Sequence, residues 1–337
     1  MRAMWVVVFL LFFFGLAELG TSWILAAHGP AGRFNRAGLL KPPTVTESVV
    51  EWQVRHLLEG SERDDIVFFG DSSCLMGVVP GVLGESGVSA WNYGTIGWLG
   101  IDGYADLLKL YVDHRGKPGL AVCYMSMYPL TVSNEEIDRM GFRQAFRDWV
   151  FPGRFEGSFR DLEALPTRRL HLLFEPTAAE LRGTAFLDEA RGPYPSDAGL
   201  RTLLLDNRGY LPALVSRNLE AGDETRLDPQ GPWIQALKRL FASADARGVT
   251  LLLLIHPFPE KWRGRRDGAE RAAWQHLMEA IAAPYPRVRV GTPLVRYMPR
   301  RLFATAEHLT EEGAIENTRE LAPLLLAGLA RAKTLSR

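Results

Sequence analysis

The stretch DIVFFGDSS, residues 65–73, joins a short apolar run to a Gly-Asp-Ser turn. A short apolar run that ends at a glycine is typical of a strand buried on both faces. A serine placed directly after such a strand lies at its carboxyl end, where open α/β sheets bind their ligands. A helix that starts just after Ser72 would point backbone N–H groups at the same place. Because Gly-Asp-Ser is also ordinary turn composition, this reading needs support from the rest of the chain.

Further apolar runs predict strands, and helical patterns separate them. The strands are Val88–Trp91, Leu120–Tyr124, Val249–Ile255 and Arg287–Val290. The helices are Thr44–Leu58, Tyr104–Val112, Trp233–Arg247, Glu270–Ala282 and Glu311–Lys333. We expect Thr310 to cap the last helix. Strands that alternate with helices predict a three-layer α/β/α domain with a parallel sheet, as in flavodoxin-like folds.

The length of 337 residues suits one large domain, or one domain that carries a sizeable insertion. We assign residues 1–28 to a membrane anchor or signal segment, 29–60 to a linker and leading helix, and 61–335 to the α/β domain. Within that domain, residues 131–230 interrupt the alternation after the third strand and are rich in proline and charge. A structureless loop of this length is unusual in a compact domain, so we expect an insertion or cap over the sheet.

The N-terminal segment is apolar enough to enter a membrane. Trp5–Ala27 is long enough to span the hydrocarbon core as a helix. Glu18 is the anomaly, and we expect it to be protonated, to lie near the interface or to face a partner helix. A cleaved signal peptide is the alternative, with Met4–Leu16 as its apolar core and Gly20–Ser22 as its cleavage site. Because the apolar stretch continues past that site, we expect an uncleaved, single-pass anchor.

Composition narrows the function classes. The formal net charge is zero, whereas nucleic-acid binders usually carry a basic excess, so we expect no nucleic-acid partner. The only cysteines, Cys74 and Cys123, are too few for a disulfide framework, and we expect buried free thiols rather than one bridge. No spacing resembles a zinc motif, a Walker loop or a dinucleotide fingerprint, so we expect neither metal nor cofactor.

Two later motifs complement Ser72. The second strand runs into Asn92-Tyr93-Gly94-Thr95-Ile96-Gly97, where the N–H of Gly94 could join that of Ser72 in an oxyanion hole. His308 lies just before the last helix, at a loop-to-helix junction that can reach the carboxyl edge of the sheet. It can act as general base only if it meets Ser72 within hydrogen-bond distance. Locally, an ordinary turn and a capping or surface histidine explain these residues as well.

Taken in order along the chain, these motifs resemble the SGNH (GDSL-type) hydrolase superfamily. They are Gly-Asp-Ser after the first strand, Asn-x-Gly-x-x-Gly after the second, and His-Leu-x-x-x-Gly before the last helix. The chain looks most like membrane-tethered members found beside polysaccharide O-acetylation and teichoic acid D-alanylation machinery. The resemblance implies that Ser72 is the nucleophile, His308 the base, and the N–H groups of Ser72 and Gly94 the oxyanion hole.

The same resemblance implies a substrate, a partner and a location. The substrate would be an acylated extracytoplasmic glycan or envelope polymer, and a membrane-bound acyltransferase would supply acyl groups. The α/β domain would then lie outside the cytoplasm. Positive charge opposes that orientation mildly, because Arg2 precedes the apolar segment whereas Arg33, Arg36 and Lys41 follow it.

Two departures from the superfamily pattern weaken the catalytic reading. An aspartate that orients the imidazole usually lies three residues before the histidine, where this chain has Thr305. Loss of that aspartate lowers turnover in a serine protease by about 10⁴. The neighbouring Glu307 is a poor replacement. An oxyanion-hole asparagine usually follows the third strand, where Ser126 or Asn134 would have to substitute for it.

The candidate pocket also includes Asp71, Asn92, Ser126 and His256, which follow or lie in the predicted strands. His256 ends the fourth strand at the same edge and is a second candidate for a substrate-binding or basic residue. The sequence thus predicts a membrane-anchored serine esterase or O-acyltransferase. The alternative is a catalytically degenerate scaffold protein that binds glycan and docks a membrane partner.

Overall fold

The computed structural model describes residues 45–130, 143, 146, 147, 150, 197–213, 230–265, 268–305 and 307–335. The predicted anchor at 1–28, Glu18 and Asn134 lie outside these residues, as do residues 29–44 before the leading helix and most of the predicted insertion. Within the described residues, no helix combines the length and the apolar character that crossing a bilayer requires.

A parallel sheet forms the centre of the described chain. Its strands are β1 (Ile66–Gly70), β2 (Ala90–Gly94), β3 (Leu120–Met125), β4 (Leu251–Ile255) and β6 (Val288–Val290), in the spatial order β2-β1-β3-β4-β6. All four pairings in this sheet are parallel. A separate two-stranded ladder joins β5 (Phe258–Pro259) to β7 (Tyr297–Met298). The predicted α/β class and parallel sheet are therefore confirmed.

Eight α-helices lie in the described residues. They are α1 (Val45–Glu59), α2 (Ser72–Leu75), α3 (Pro80–Gly84), α4 (Gly100–Arg115), α5 (Asp197–Asp206), α6 (Trp233–Ala246), α7 (Gly268–Ala282) and α8 (Glu311–Leu335). The five long helices predicted from the sequence are all present. Short 3₁₀ turns cover Gly97–Leu99, Tyr128–Leu130, Glu260–Arg265 and Arg300–Leu302.

Side chains of the sheet alternate between two apolar clusters. Val67 and Phe69 of β1 join the cluster that also contains buried residues of α1, α4, α6 and α7. Ile66 and Phe68 point the other way, into the cluster that contains Leu321 and neighbouring leucines of α8. Every residue of β1 to β4 is buried, because helices cover both faces. This arrangement is compatible with the predicted three-layer α/β/α domain.

Strand β2 lies two to three residues later than the predicted Val88–Trp91. Pairing starts at Ala90 because Ala90 is in register with Ile66, while Ser89 is occupied by hydrogen bonds to the backbone and side chain of Asp65. The other end extends to Gly94 because Asn92, although polar, is fully buried with hydrogen-bond partners. An apolar-run criterion cannot recognise such a strand.

A segment of the predicted insertion closes the outer edge of β2. The N–H of Asn92 donates to the carbonyl of Arg208 at 2.9 Å, and the Gln53 amide donates to the carbonyls of Asn92 and Gly209. Gly209 has a φ of 85°, and a Cβ there would overlap the Asn92 carbonyl, so only glycine fits. This contact anchors part of residues 131–230 beside the sheet, next to the loop that carries Ser72.

Candidate active site

Ser72 and His308 meet at the carboxyl edge of the sheet, although 236 positions separate them in the sequence. The Oγ of Ser72 lies 2.9 Å from Nε2 of His308. This distance is within the range expected for a nucleophile and its general base. The structure therefore brings together the two residues that the sequence motifs singled out.

The position of Ser72 follows from the end of β1. Ser72 is the first residue of α2, and the side chain of Asp71 caps this helix by accepting the N–H of Ser73 at 2.9 Å. Gly70 must be glycine, because a Cβ there would overlap the Tyr124 carbonyl on β3. The close packing of the two strands thus carries Ser72 directly to the edge.

A tight loop before α8 holds His308. The backbone carbonyl of His308 accepts the N–H groups of Ala304 at 2.8 Å and of Thr305 at 3.2 Å. Phe303 forms an antiparallel bridge with Leu309. Thr310 caps α8 as predicted, since its hydroxyl accepts the N–H of Gly313 at 3.1 Å. His308 is only 8% exposed, so its ring has little freedom to move.

Thr305 takes the place at His308 that an orienting carboxylate usually occupies. Its Oγ1 lies 2.9 Å from Nδ1 of His308. The same oxygen accepts the backbone N–H groups of Glu307 at 3.2 Å and of His308 at 3.1 Å. The side chains of Ser72, His308 and Thr305 therefore form a row, in which a hydroxyl stands where the sequence lacks the usual aspartate.

Burial lowers the pKa of His308 to about 4. The imidazole is therefore neutral at neutral pH, which is the charge state that a general base requires. The pKa alone does not specify which of the two ring nitrogens carries the proton.

The Asp71 carboxylate lies at the centre of a buried network behind Ser72. Its Oδ2 accepts the N–H of Ser126 at 2.9 Å and the Ser126 hydroxyl at 2.7 Å, which ties the turn after β3 to the turn after β1. Burial raises the pKa of Asp71, against the opposing effect of these hydrogen bonds. Since the only hydroxyl proton of Ser126 is donated to Asp71, Ser126 has none for an oxyanion in this conformation.

The candidate oxyanion donor Gly94 already has a partner in this structure. Its N–H donates to Oδ1 of Asn92 at 2.8 Å. The Asn92 amide in turn donates to the carbonyls of Cys74 at 2.8 Å and Val78 at 2.9 Å, beyond the nucleophile. Asn92 thus connects β2 to the loop behind Ser72, and the role of Gly94 in an oxyanion hole stays a prediction.

His256 lies at the end of β4 in a buried polar cluster. Its Nδ1 is 3.0 Å from the hydroxyl of Tyr124, which also accepts the amide of Asn317 at 3.0 Å. Within the described residues, its Nε2 has no hydrogen-bond partner. Burial, followed by the nearby His308 and Arg296, lowers the pKa of His256 well below the usual value. His256 is 4% exposed, so it supports the site from within the protein.

Glu307 is a residue whose place the sequence did not predict. Its carbonyl accepts the hydroxyl of Ser73 at 2.9 Å, which fastens the histidine loop to the nucleophile turn. Glu307 is exposed, yet desolvation by the protein around its carboxyl, followed by the charge of Asp71, raises its pKa to about 7. In the sequence, only its position next to His308 pointed to Glu307.

Cys74 and Cys123 are both free and buried, as predicted. Within the described part of the chain, no group of three or more His, Cys, Asp or Glu side chains is arranged to hold a metal ion. The chemistry that these residues can perform is nucleophilic attack by a hydroxyl assisted by an imidazole.

No protein-family model matches the chain, and no curated protein matches it. The class of site is therefore defined by its geometry: a strand-end serine hydrogen-bonded to a buried histidine on a parallel α/β sheet.

Proposed function

We propose that the protein is a serine-dependent acyl-transferring enzyme of the SGNH type, either an esterase or an O-acyltransferase. The observation that carries this proposal is the 2.9 Å contact between Ser72 Oγ and His308 Nε2. Ser72 would attack the carbonyl carbon of an acyl ester while His308 takes its proton. His308 would then return that proton to the leaving alkoxide as the acyl-serine forms.

The fate of the acyl-serine separates the two enzyme activities. If water attacks it, His308 takes a proton from that water, and the products are a carboxylic acid and free Ser72. If a sugar hydroxyl attacks instead, the acyl group passes to the sugar. The backbone N–H of Ser72, at the start of α2, would stabilise the oxyanion of each tetrahedral intermediate.

The substrate and the location in this proposal come from the superfamily resemblance and the apolar N-terminal segment. We propose an acylated extracytoplasmic glycan or envelope polymer as substrate. We also propose a single-pass anchor with the α/β domain outside the cytoplasm, and a membrane-bound acyltransferase as a partner.

A second candidate function is a catalytically degenerate scaffold that binds glycan and docks a membrane partner. The observation that favours it is Thr305, because a hydroxyl at Nδ1 of His308 cannot provide the negative charge that stabilises an imidazolium. In this case the site would keep its shape but not its reactivity.

Covalent labelling of the full-length chain in detergent with a fluorophosphonate probe tests the proposal, with peptide mapping of the modified residue. We expect labelling at Ser72 that Ser72→Ala abolishes and that Ser86→Ala, at an exposed serine, leaves unchanged. Absence of labelling both in the folded wild type and in a folded Thr305→Asp variant would favour the scaffold. Labelled protein would next be tested with an acetyl ester in the presence and absence of a polysaccharide acceptor, to separate transfer from hydrolysis.

A further inference from the structure

Among the described residues, the Thr305 hydroxyl makes three polar contacts, and their directions can be assigned. A hydroxyl group has one proton to donate and two lone pairs that accept. Two of the contacts come from the backbone N–H groups of Glu307 and His308, which can only donate. These two donors occupy both lone pairs of Oγ1. The third contact, at 2.9 Å to Nδ1 of His308, must then use the hydroxyl proton.

This assignment determines the tautomer of His308. If Thr305 donates to Nδ1, then Nδ1 carries no proton. A neutral imidazole has one N–H, so the proton lies on Nε2. The 2.9 Å contact to Ser72 then runs from Nε2–H to the serine oxygen. A general base needs the opposite arrangement, in which the serine hydroxyl donates to a bare Nε2.

A carboxylate at position 305 would give the opposite tautomer. Ionised carboxylates only accept hydrogen bonds, so Nδ1 would have to carry the proton and Nε2 would be bare. A carboxylate also has enough lone pairs to accept the two backbone N–H groups and Nδ1–H together. Compared with a carboxylate, threonine reverses the direction of the one hydrogen bond that decides the role of His308.

We propose that Thr305 is a positioning residue that holds His308 in the Nε2–H tautomer and so keeps Ser72 unactivated in the resting protein. Acyl transfer then requires a rearrangement of the hydrogen bonds around Thr305. The Thr305 hydroxyl turns away from Nδ1, the imidazole loses the proton from Nε2 to solvent, and Nδ1 takes one proton from solvent. The Nδ1–H group then donates to Thr305 Oγ1 in place of one backbone N–H. The consequence for rate rests on the proposed acyl-transfer function, whereas the tautomer does not.

Nitrogen NMR of the imidazole rings measures the tautomer directly. The full-length chain in detergent, labelled with ¹⁵N-histidine, would give long-range ¹H–¹⁵N correlations for its seven histidines, and loss of one set in His308→Gln assigns His308. We expect a protonated Nε2 and a bare Nδ1 in the wild type and in Thr305→Ser, and the reverse in Thr305→Asp. A protonated Nδ1 in the wild type would overturn the inference, whether or not Thr305→Asp folds.

The rate of fluorophosphonate labelling at Ser72 measures the consequence. We expect Thr305→Asp to react between about 10² and 10⁴ times faster than the wild type at pH 8, by analogy with the cost of the wrong tautomer in a serine protease. Thr305→Ser, which keeps the hydroxyl, should react at the wild-type rate. A folded Thr305→Asp chain with protonated Nδ1 that reacts no faster than a reactive wild type would refute the control of rate by Thr305.

The two measurements also separate this inference from the proposed function. If the NMR tautomers are as expected but neither the wild type nor Thr305→Asp labels, the acyl-transfer proposal fails and the assignment of the tautomer stands. If Ser72 labels in a wild type whose His308 carries its proton on Nδ1, the assignment fails and the proposed function is supported.

Discussion

The carboxylate of Asp71 accepts two hydrogen bonds from Ser126, from the backbone N–H at 2.9 Å and from the hydroxyl at 2.7 Å. Its other oxygen accepts the N–H of Ser73, the residue after the nucleophile. One buried side chain therefore fixes the turn after β1 against the turn after β3. The position of Ser72 therefore depends on the buried side chain of the residue before it.

Asp71→Asn should weaken both stability and reactivity. An amide presents an NH₂ group to one of the two donors, Ser73 or Ser126, so at least one buried N–H loses its acceptor. We expect a loss of about 1–3 kcal/mol in the free energy of unfolding. Labelling at Ser72 should slow at least tenfold because the turn shifts. Urea denaturation and labelling kinetics measure the two effects.

Asp113→Asn is the matched control for this change, because Asp113 is an exposed carboxylate paired with Lys109 on the surface of α4. Such pairs contribute under about 0.5 kcal/mol. An Asp71→Asn chain as stable and as reactive as Asp113→Asn would show that the network does not position Ser72.

Asn92→Ala should be strongly destabilising. The Asn92 side chain is fully buried and has hydrogen bonds to the carbonyls of Cys74 and Val78 and to the N–H of Gly94. Its removal takes this partner from the Val78 carbonyl and from the Gly94 N–H, whereas the Cys74 carbonyl still accepts the N–H groups of Gly77 and Val78. We expect a loss of at least about 2 kcal/mol in the free energy of unfolding, measured in urea, since each orphaned group costs about 1–3 kcal/mol.

Asn207→Ala is the comparison for Asn92, because Asn207 is only partly buried and its amide donates to one local carbonyl, that of Leu203. It should cost less than about 1 kcal/mol. Equal losses in the two variants would contradict the bracing role assigned to Asn92.

The sheet was predictable where strands are apolar on both faces. Runs such as IVFFG and LLLLI have no polar residue to confuse the pattern, and their strands lie close to the predicted limits. The prediction for strand β2 was displaced because Asn92 and Tyr93 belong to the strand. Asn92 can be buried there only because its side chain has backbone hydrogen-bond partners. The two-residue ladder of β5 and β7 has no periodicity at all, so only tertiary contacts reveal it.

The candidate site was predictable as far as motif order goes. Ser72 follows from its position after a strand, His308 from its position before the last helix, and both from the superfamily pattern. The contact between Thr305 and Nδ1 of His308 was not predictable. It depends on a loop conformation that brings this nitrogen and two backbone N–H groups to the same oxygen, Thr305 Oγ1. Nor does the sequence show that the Gly94 N–H and the Ser126 hydroxyl are already engaged within the protein.

The low pKa of His308 should appear in the stability of the protein. Its pKa is about 4 in the folded chain against an ordinary value of 6.5, so the unfolded chain binds more protons between these limits. The free energy of unfolding should therefore fall as the pH drops from 6.5 to 4, by up to roughly 3 kcal/mol from this residue. In His308→Gln the fall over this window should be smaller, as measured by urea denaturation at several pH values. An unchanged slope would contradict the burial of a neutral His308.

Glu307 should show the opposite dependence on pH. Its pKa is raised from 4.5 to about 7 by the surrounding protein and by Asp71. The folded chain thus binds more protons than the unfolded chain between these values, and stability is lost as the pH rises through the window. Glu307→Gln removes the titrating group but keeps the backbone carbonyl that accepts the Ser73 hydroxyl. We expect this variant to match the wild type at pH 4 and to exceed it at pH 8, by thermal melting at both values. A variant less stable than the wild type at pH 8 would show that the charged carboxylate stabilises the loop instead.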